Sequence, residues 1–191
     1  MTKKVIGLGL AGLIVLSLAV GGTWAYIVDA ETSSNNQVTA GTVAMTTNDN
    51  FGVTQSLVAS NLKPGRIVGP TTITLKNVGS LTGSSINISL AYTENDVTPN
   101  TTNMTADQMA GVLEITGLSY DSRSILSALT DSNANGYKDI YDLSVNPRNG
   151  LVGLNPSASK DFSITVQMRA GTSSDYCGDG INITLTFVLN Q

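Results

Sequence analysis

Apolar and polar positions alternate at period two over most of the chain beyond residue 38. The clearest run lies near the end. There Ile181, Ile183, Leu185, Phe187 and Leu189 share one parity, and Asn182, Thr184, Thr186 and Val188 share the other. Successive side chains of a strand point to opposite faces, so this run reads as a strand with one face on a core. The same pattern predicts strands at Val38–Thr46, Ile67–Asn77, Ser85–Tyr92, Val112–Leu118 and Phe162–Arg169, with Ile181–Leu189 as the last. Turn clusters separate them, among them Lys63-Pro64-Gly65, Asn77-Val78-Gly79-Ser80, Pro147-Arg148-Asn149-Gly150 and Asn155-Pro156. One stretch carries helical spacing: Ser122–Leu129 places Ile125, Leu126 and Leu129 on one face, with Asp121 as N-cap. Short strands without alternating long helices predict an all-β fold, an antiparallel β-sandwich of jelly-roll type with a short helix.

The first residues follow another pattern. Lys3 and Lys4 precede an uncharged, largely apolar run from Val5 to Val28, and Thr23-Trp24-Ala25 offers small residues around a cleavage point. These are the parts of a secretory signal peptide, read as residues 1–25 and removed by signal peptidase. The membrane is then met only in transit, and the protein is secreted. A retained anchor is the alternative, because the run is long enough to span a bilayer. Residues 26–37 are polar after Tyr26, Ile27 and Val28 and read as an arm ahead of a domain at 38–191.

Composition narrows the chemistry. The chain has 191 residues, no histidine and one cysteine, Cys177. It therefore has no imidazole base, no His-based zinc site and no intrachain disulfide. Cys177 reads as a small buried apolar residue. Ten basic and 14 acidic residues give a net charge of −4, which argues against nucleic acid as a partner. Only three glutamates occur, so a hydrolase built on a carboxylate pair such as Glu94 and Glu114 is disfavoured, and the chain reads as a non-enzyme.

The most specific motif runs from Asp131 to Asp142. Laid on a twelve-residue calcium loop, Asp131, Asn133, Asn135, Asp139 and Asp142 place side-chain oxygens at positions 1, 3, 5, 9 and 12, and Gly136 falls at position 6. Tyr137 would add its main-chain carbonyl. Calcium takes hard oxygen ligands, and this spacing wraps them around one centre. Asp142 is shorter than the usual terminal glutamate, and three carboxylates suit calcium-rich surroundings. A second acidic cluster, Asp175 to Gly180, reads as the turn before the last strand. Sequons at Asn87, Asn100, Asn103 and Asn182 are possible glycosylation sites.

Several of these segments resemble the TasA/camelysin family of exported biofilm fibre proteins. They are Gly21-Gly22-Thr23-Trp24-Ala25-Tyr26, Val38 to Val43, Leu62 to Gly65, the corner Ile73 to Ser80 and the closing Gly178 to Phe187. Against that pattern the stretch from about 95 to 155, which holds the calcium loop, looks like an insertion. The resemblance implies a jelly-roll subunit that polymerises with itself, head to tail, outside the cell. It implies, as in similar archaeal bundling pili and cannula tubules, that a freed N-terminal segment (Tyr26, Ile27, Val28) inserts into the next subunit's sheet. The family's peptidase activity does not carry over, because no zinc-protease motif is present. The alternative is a calcium-dependent β-sandwich that binds carbohydrate or another surface.

Overall fold

The structure, a computed structural model, describes residues 44–47, 50–51, 54–60, 62–95 and 103–191. In chain order the elements are β1 (Met45–Thr47), β2 (Asn50–Phe51), β3 (Thr54–Ser60), β4 (Ile67–Asn77) and β5 (Ser85–Glu94). Then come α1 (Ala106–Val112), β6 (Leu113–Tyr120), β7 (Arg123–Ser124), α2 (Ile140–Val145), β8 (Arg148–Val152), β9 (Ser159–Met168) and β10 (Gly180–Asn190). They form two antiparallel sheets, ordered β2-β1-β4-β9-β6-β7 and β3-β10-β5-β8. The expected all-β sandwich is borne out. Among the described residues no helix is long and apolar enough to cross a membrane.

Parity builds the core. Ile181, Ile183, Leu185, Phe187 and Leu189 of β10 are buried, and so are Ile86, Ile88 and Leu90 of β5. From the other sheet, Phe162, Ile164, Val166 and Met168 of β9 and Ile73 and Leu75 of β4 face them. Phe162 and Phe187 meet edge to face across the sandwich, with ring centroids 5.3 Å apart. In β6 the parity changes: Leu113 and Ile115 are buried, then Leu118 and Tyr120. A register shift between Ile115 and Gly117 explains the change, since an extra residue returns both halves to the core face. The Tyr120 hydroxyl then donates to the Val152 carbonyl at 2.7 Å, joining β6 of one sheet to β8 of the other.

The Asn-x-Gly-Ser corner is built on Asn77, which is fully buried. Its side-chain amide donates to the carbonyls of Leu81 at 2.8 Å and Leu154 at 2.9 Å. Its Oδ1 accepts from the Gly79 N–H at 2.9 Å. A buried amide satisfied this fully fixes the path of the chain as it leaves β4.

Three expectations change. The segment Ser122–Leu129 is not an α-helix. Asp121 and Ser122 have φ of 53° and 61° and turn the tight β6–β7 hairpin, after which Leu126–Ala128 makes a single 3-10 turn. Two residues with positive φ match the twist of a two-residue hairpin loop, and that preference wins over the weak helical spacing. Asp121 is therefore no N-cap; its carboxylate accepts from Lys160 Nζ at 2.7 Å. Val112 ends α1 instead of starting a strand, and Arg169 lies just past β9. The stretch expected as an insertion supplies β6 to one sheet and β8 to the other. The signal region and the residues 38–43 of the first expected strand lie outside the described residues.

Two substitutions test this account by opposite signs in equilibrium denaturation. Asn77→Ala leaves buried carbonyls unpaired and should cost about 3 kcal/mol. Ser122→Gly, at a φ that side chains disfavour, should stabilise by about 0.5–1 kcal/mol. A neutral Asn77→Ala would show that the corner does not depend on its amide.

Candidate functional site

The loop 131–142 leads from the 3-10 turn into α2 and folds through Asx turns. Asp131 Oδ1 accepts from the Asn135 N–H at 3.2 Å, and its Oδ2 accepts from the Gly136 N–H at 2.9 Å. Asn133 Oδ1 accepts from the Asn135 N–H at 3.2 Å, and Asn135 Oδ1 accepts from the Tyr137 N–H at 2.9 Å. Gly136 has φ of 86°, the left-handed conformation that the motif's glycine position requires. Asn135 also donates to the Gly111 carbonyl at 3.2 Å, and the Ile115 N–H donates to the Lys138 carbonyl at 2.7 Å. These two bonds brace the loop on α1 and β6.

Its end doubles as the start of α2. Asp139 is the N-cap: its Oδ1 accepts from the Asp142 N–H at 3.1 Å, and Asp142 Oδ2 accepts from the Asp139 N–H at 3.1 Å. Asp142 Oδ1 also accepts from the Ser132 N–H at 2.6 Å, tying the loop's ends together. Both carboxylates are fully buried. Burial pushes the Asp139 carboxyl above its ordinary range, against hydrogen bonds from Asn133, Asn135 and Asp142 that pull it down.

The arrangement brings some expected ligands together and leaves others apart. Asn133 Nδ2 at 3.1 Å and Asn135 Nδ2 at 2.7 Å both donate to Asp139 Oδ2, so three of the six residues converge there and Asp142 joins them through the cap. Asp131 folds onto Asn135 and Gly136 instead, and among the described residues no group of three His, Cys, Asp or Glu is placed to hold a metal. Tyr137 is 44% exposed, and the Arg169 guanidinium lies 4.4 Å from its ring centroid. The donor set is all oxygen; Asp139 Oδ2 already accepts two N–H groups, while a side-chain oxygen that accepts one retains a further lone pair. That chemistry fits a hard cation and not zinc.

The other marked residues are dispersed. Asn87 lies on β5, where its Oδ1 accepts from the Gly150 N–H at 3.0 Å; Asn182 lies within β10, and Asn103 is exposed ahead of α1. Asn100 and the arm residues Tyr26, Ile27 and Val28 lie outside the described residues. In the second acidic cluster, Asp175 sits in the 3-10 turn Ser174–Tyr176, while buried Asp179 accepts from the Met104 N–H at 2.8 Å. Cys177 is half-buried, less enclosed than expected. Glu94 ends β5 and Glu114 lies on β6, in different sheets. No motif marks the cleft where Tyr137, Arg169, Thr172 and Tyr176 meet, because Tyr137 reaches the 169–176 segment only through the fold.

The raised Asp139 carboxyl has a direction in pH. Its contribution to stability is present in full below the ordinary carboxylate range and is lost as pH rises through the raised value. Measured with a chelator, the stability of the wild type relative to Asp139→Asn should rise as pH falls from neutral toward about 4. A gap that stays flat, or moves the other way, would contradict the burial cost.

Set beside curated proteins, the chain finds no match. A family model described as camelysin metallo-endopeptidase matches residues 1–191. The chain has no histidine to ligate zinc, so no hydrolytic step is derived from that description. The family is of an exported, cell-surface or extracellular kind, and the resemblance read from the corner and the closing strand agrees with the match. By this match over its whole length, the chain belongs to the camelysin family, which includes the TasA-like proteins.

Proposed function

We propose that the chain is a structural subunit of an extracellular filament, assembled when the arm Tyr26–Val28 of one copy adds a strand to the next. Calcium held by the loop 131–142 stiffens each subunit. The observation that carries this reading is the outer edge of β4. The β1 strand pairs with β4 only from Leu75 to Asn77, because the chain turns back into β2 after Thr47. Among the described residues no strand pairs with that side of β4 from Ile67 to Ile73. Ile67 is 53% exposed at its end.

An edge of this kind is a template for another chain. A donated strand satisfies its N–H and C=O groups and seats alternate side chains, although Pro70 removes one donor. A head-to-tail contact that does not close propagates as a filament. Export through a signal peptide, and the action of signal peptidase in freeing the arm, belong to the same reading.

For the cation, Asp131, Asn133, Asn135, Asp139 and Asp142 would contribute side-chain oxygens and Tyr137 its carbonyl. Bound calcium supplies positive charge beside two buried carboxylates that now rely on N–H donors alone.

Electron microscopy of the purified protein tests both parts. Deleting 26–36, or Ile67→Lys at the edge, should leave a folded monomer and abolish filaments; filaments of normal length from either variant would contradict strand donation. Calcium should raise the unfolding free energy by about 2.7 kcal/mol when it exceeds its Kd a hundredfold. Identical melts with calcium and with chelator would remove the ion from the account and leave strand donation standing.

A further inference from the structure

A cleft of about 360 Å³ opens between the loop 131–142 and the connection from β9 to β10. We propose that it binds an acidic saccharide, a hexuronate unit of a polysaccharide, through Arg169, Tyr137, Tyr176 and Thr172. This inference does not depend on the filament reading.

The volume lies within the range of small-ligand sites. Tyr137 and Tyr176 line it with aromatic surface, and Val112 adds an apolar patch. Aromatic faces of this kind suit the C–H face of a pyranose ring. Arg169 is the charge of the site. Its Nη2 donates to the Gly111 carbonyl at 2.7 Å and its guanidinium lies 4.4 Å from the Tyr137 centroid, so both contacts hold it in place. The single ion pair among the described residues joins Lys160 to Asp121, which leaves Arg169 without a carboxylate partner there. A positioned guanidinium with N–H donors to spare recognises a carboxylate in two-point fashion.

A second feature points the same way. Thr172 lines the cleft, and its Oγ1 is buried with no hydrogen-bond partner. A buried hydroxyl left unpaired is costly, and a small rotation of the side chain toward the cleft would let a ligand hydroxyl pair with it as donor or acceptor. The neighbouring Ser173 hydroxyl is already engaged, donating to Asp175 Oδ2 at 2.9 Å and accepting from the Asp175 N–H at 3.3 Å. One anion-selective group, one free hydroxyl and two aromatic rings match a uronate. No carboxamide side chain lines the cleft to meet the main chain of an acidic peptide.

Calorimetric titration of the full chain with tetragalacturonate, cellotetraose and a tetra-aspartate peptide tests this. Tetragalacturonate should bind, with cellotetraose and the peptide each weaker by about tenfold or more. Arg169→Gln should weaken the uronate by about tenfold, with part of the affinity regained in Arg169→Lys. Thr172→Val keeps the side-chain shape and removes the unpaired hydroxyl, so it should raise the melting temperature of the free protein while weakening binding about fivefold. The proposal is overturned if no heat appears up to about 10 mM uronate. It is also overturned by equal affinity for cellotetraose, by tighter binding of the peptide, or by unchanged affinity in both the Gln and Val variants.

Discussion

Face-to-face burial of two sheets is the constraint from which the rest of this molecule follows, and Phe162 against Phe187 is its centre. Each core strand commits every second side chain to that interior, so the register of β9 and β10 cannot slip without turning apolar residues outward. The β6 strand shows the force of this requirement. It takes an extra residue near Gly117 and keeps Leu118 and Tyr120 on the core face. With the interior closed in this way, chemistry is left to the rims, where loops are held by backbone bonds to strands already fixed.

The loop 131–142 is such a rim element, and its electrostatics are unusual for a surface loop. Asp139 and Asp142 are fully buried, and each serves as the other's hydrogen-bond acceptor at the start of α2. Asn133 and Asn135 close the ring on Asp139 with neutral donors. Neutral donors offset the loss of water from a carboxylate less well than a cation does. The raised Asp139 carboxyl and the calcium reading are thus two aspects of one imbalance of charge.

The long strands were legible because parity is a local signal. Ile67–Asn77 is the same in sequence and structure, and β9 and β10 differ from expectation only at their ends. The short edge strand β8 and the backbone pairing of β3 with β10 were not, because neither run shows a clear alternation. The α1 helix was hidden too: its capping box, Thr105 with Gln108, precedes about two turns that merge into the apolar start of β6. The misread helix at Ser122–Leu129 failed because Asp121-Ser122 serves a hairpin. For the site, the six loop residues could be named because they lie within twelve positions. The cleft could not, since Tyr137 and Arg169 are brought together by the fold alone.

A sandwich solves its interior but leaves its edges, and here β4 keeps seven residues of one edge without a described partner strand. That open edge, in a member of an exported family, is what supports the self-association proposed for this protein. Amide hydrogen exchange on dissociated and assembled protein tests this most directly. The account predicts that protection is gained at alternate amides between Ile67 and Ile73, those that point away from β9, while β10, already paired on both sides, keeps the rates it had. Unchanged exchange along β4 in assembled protein would contradict it.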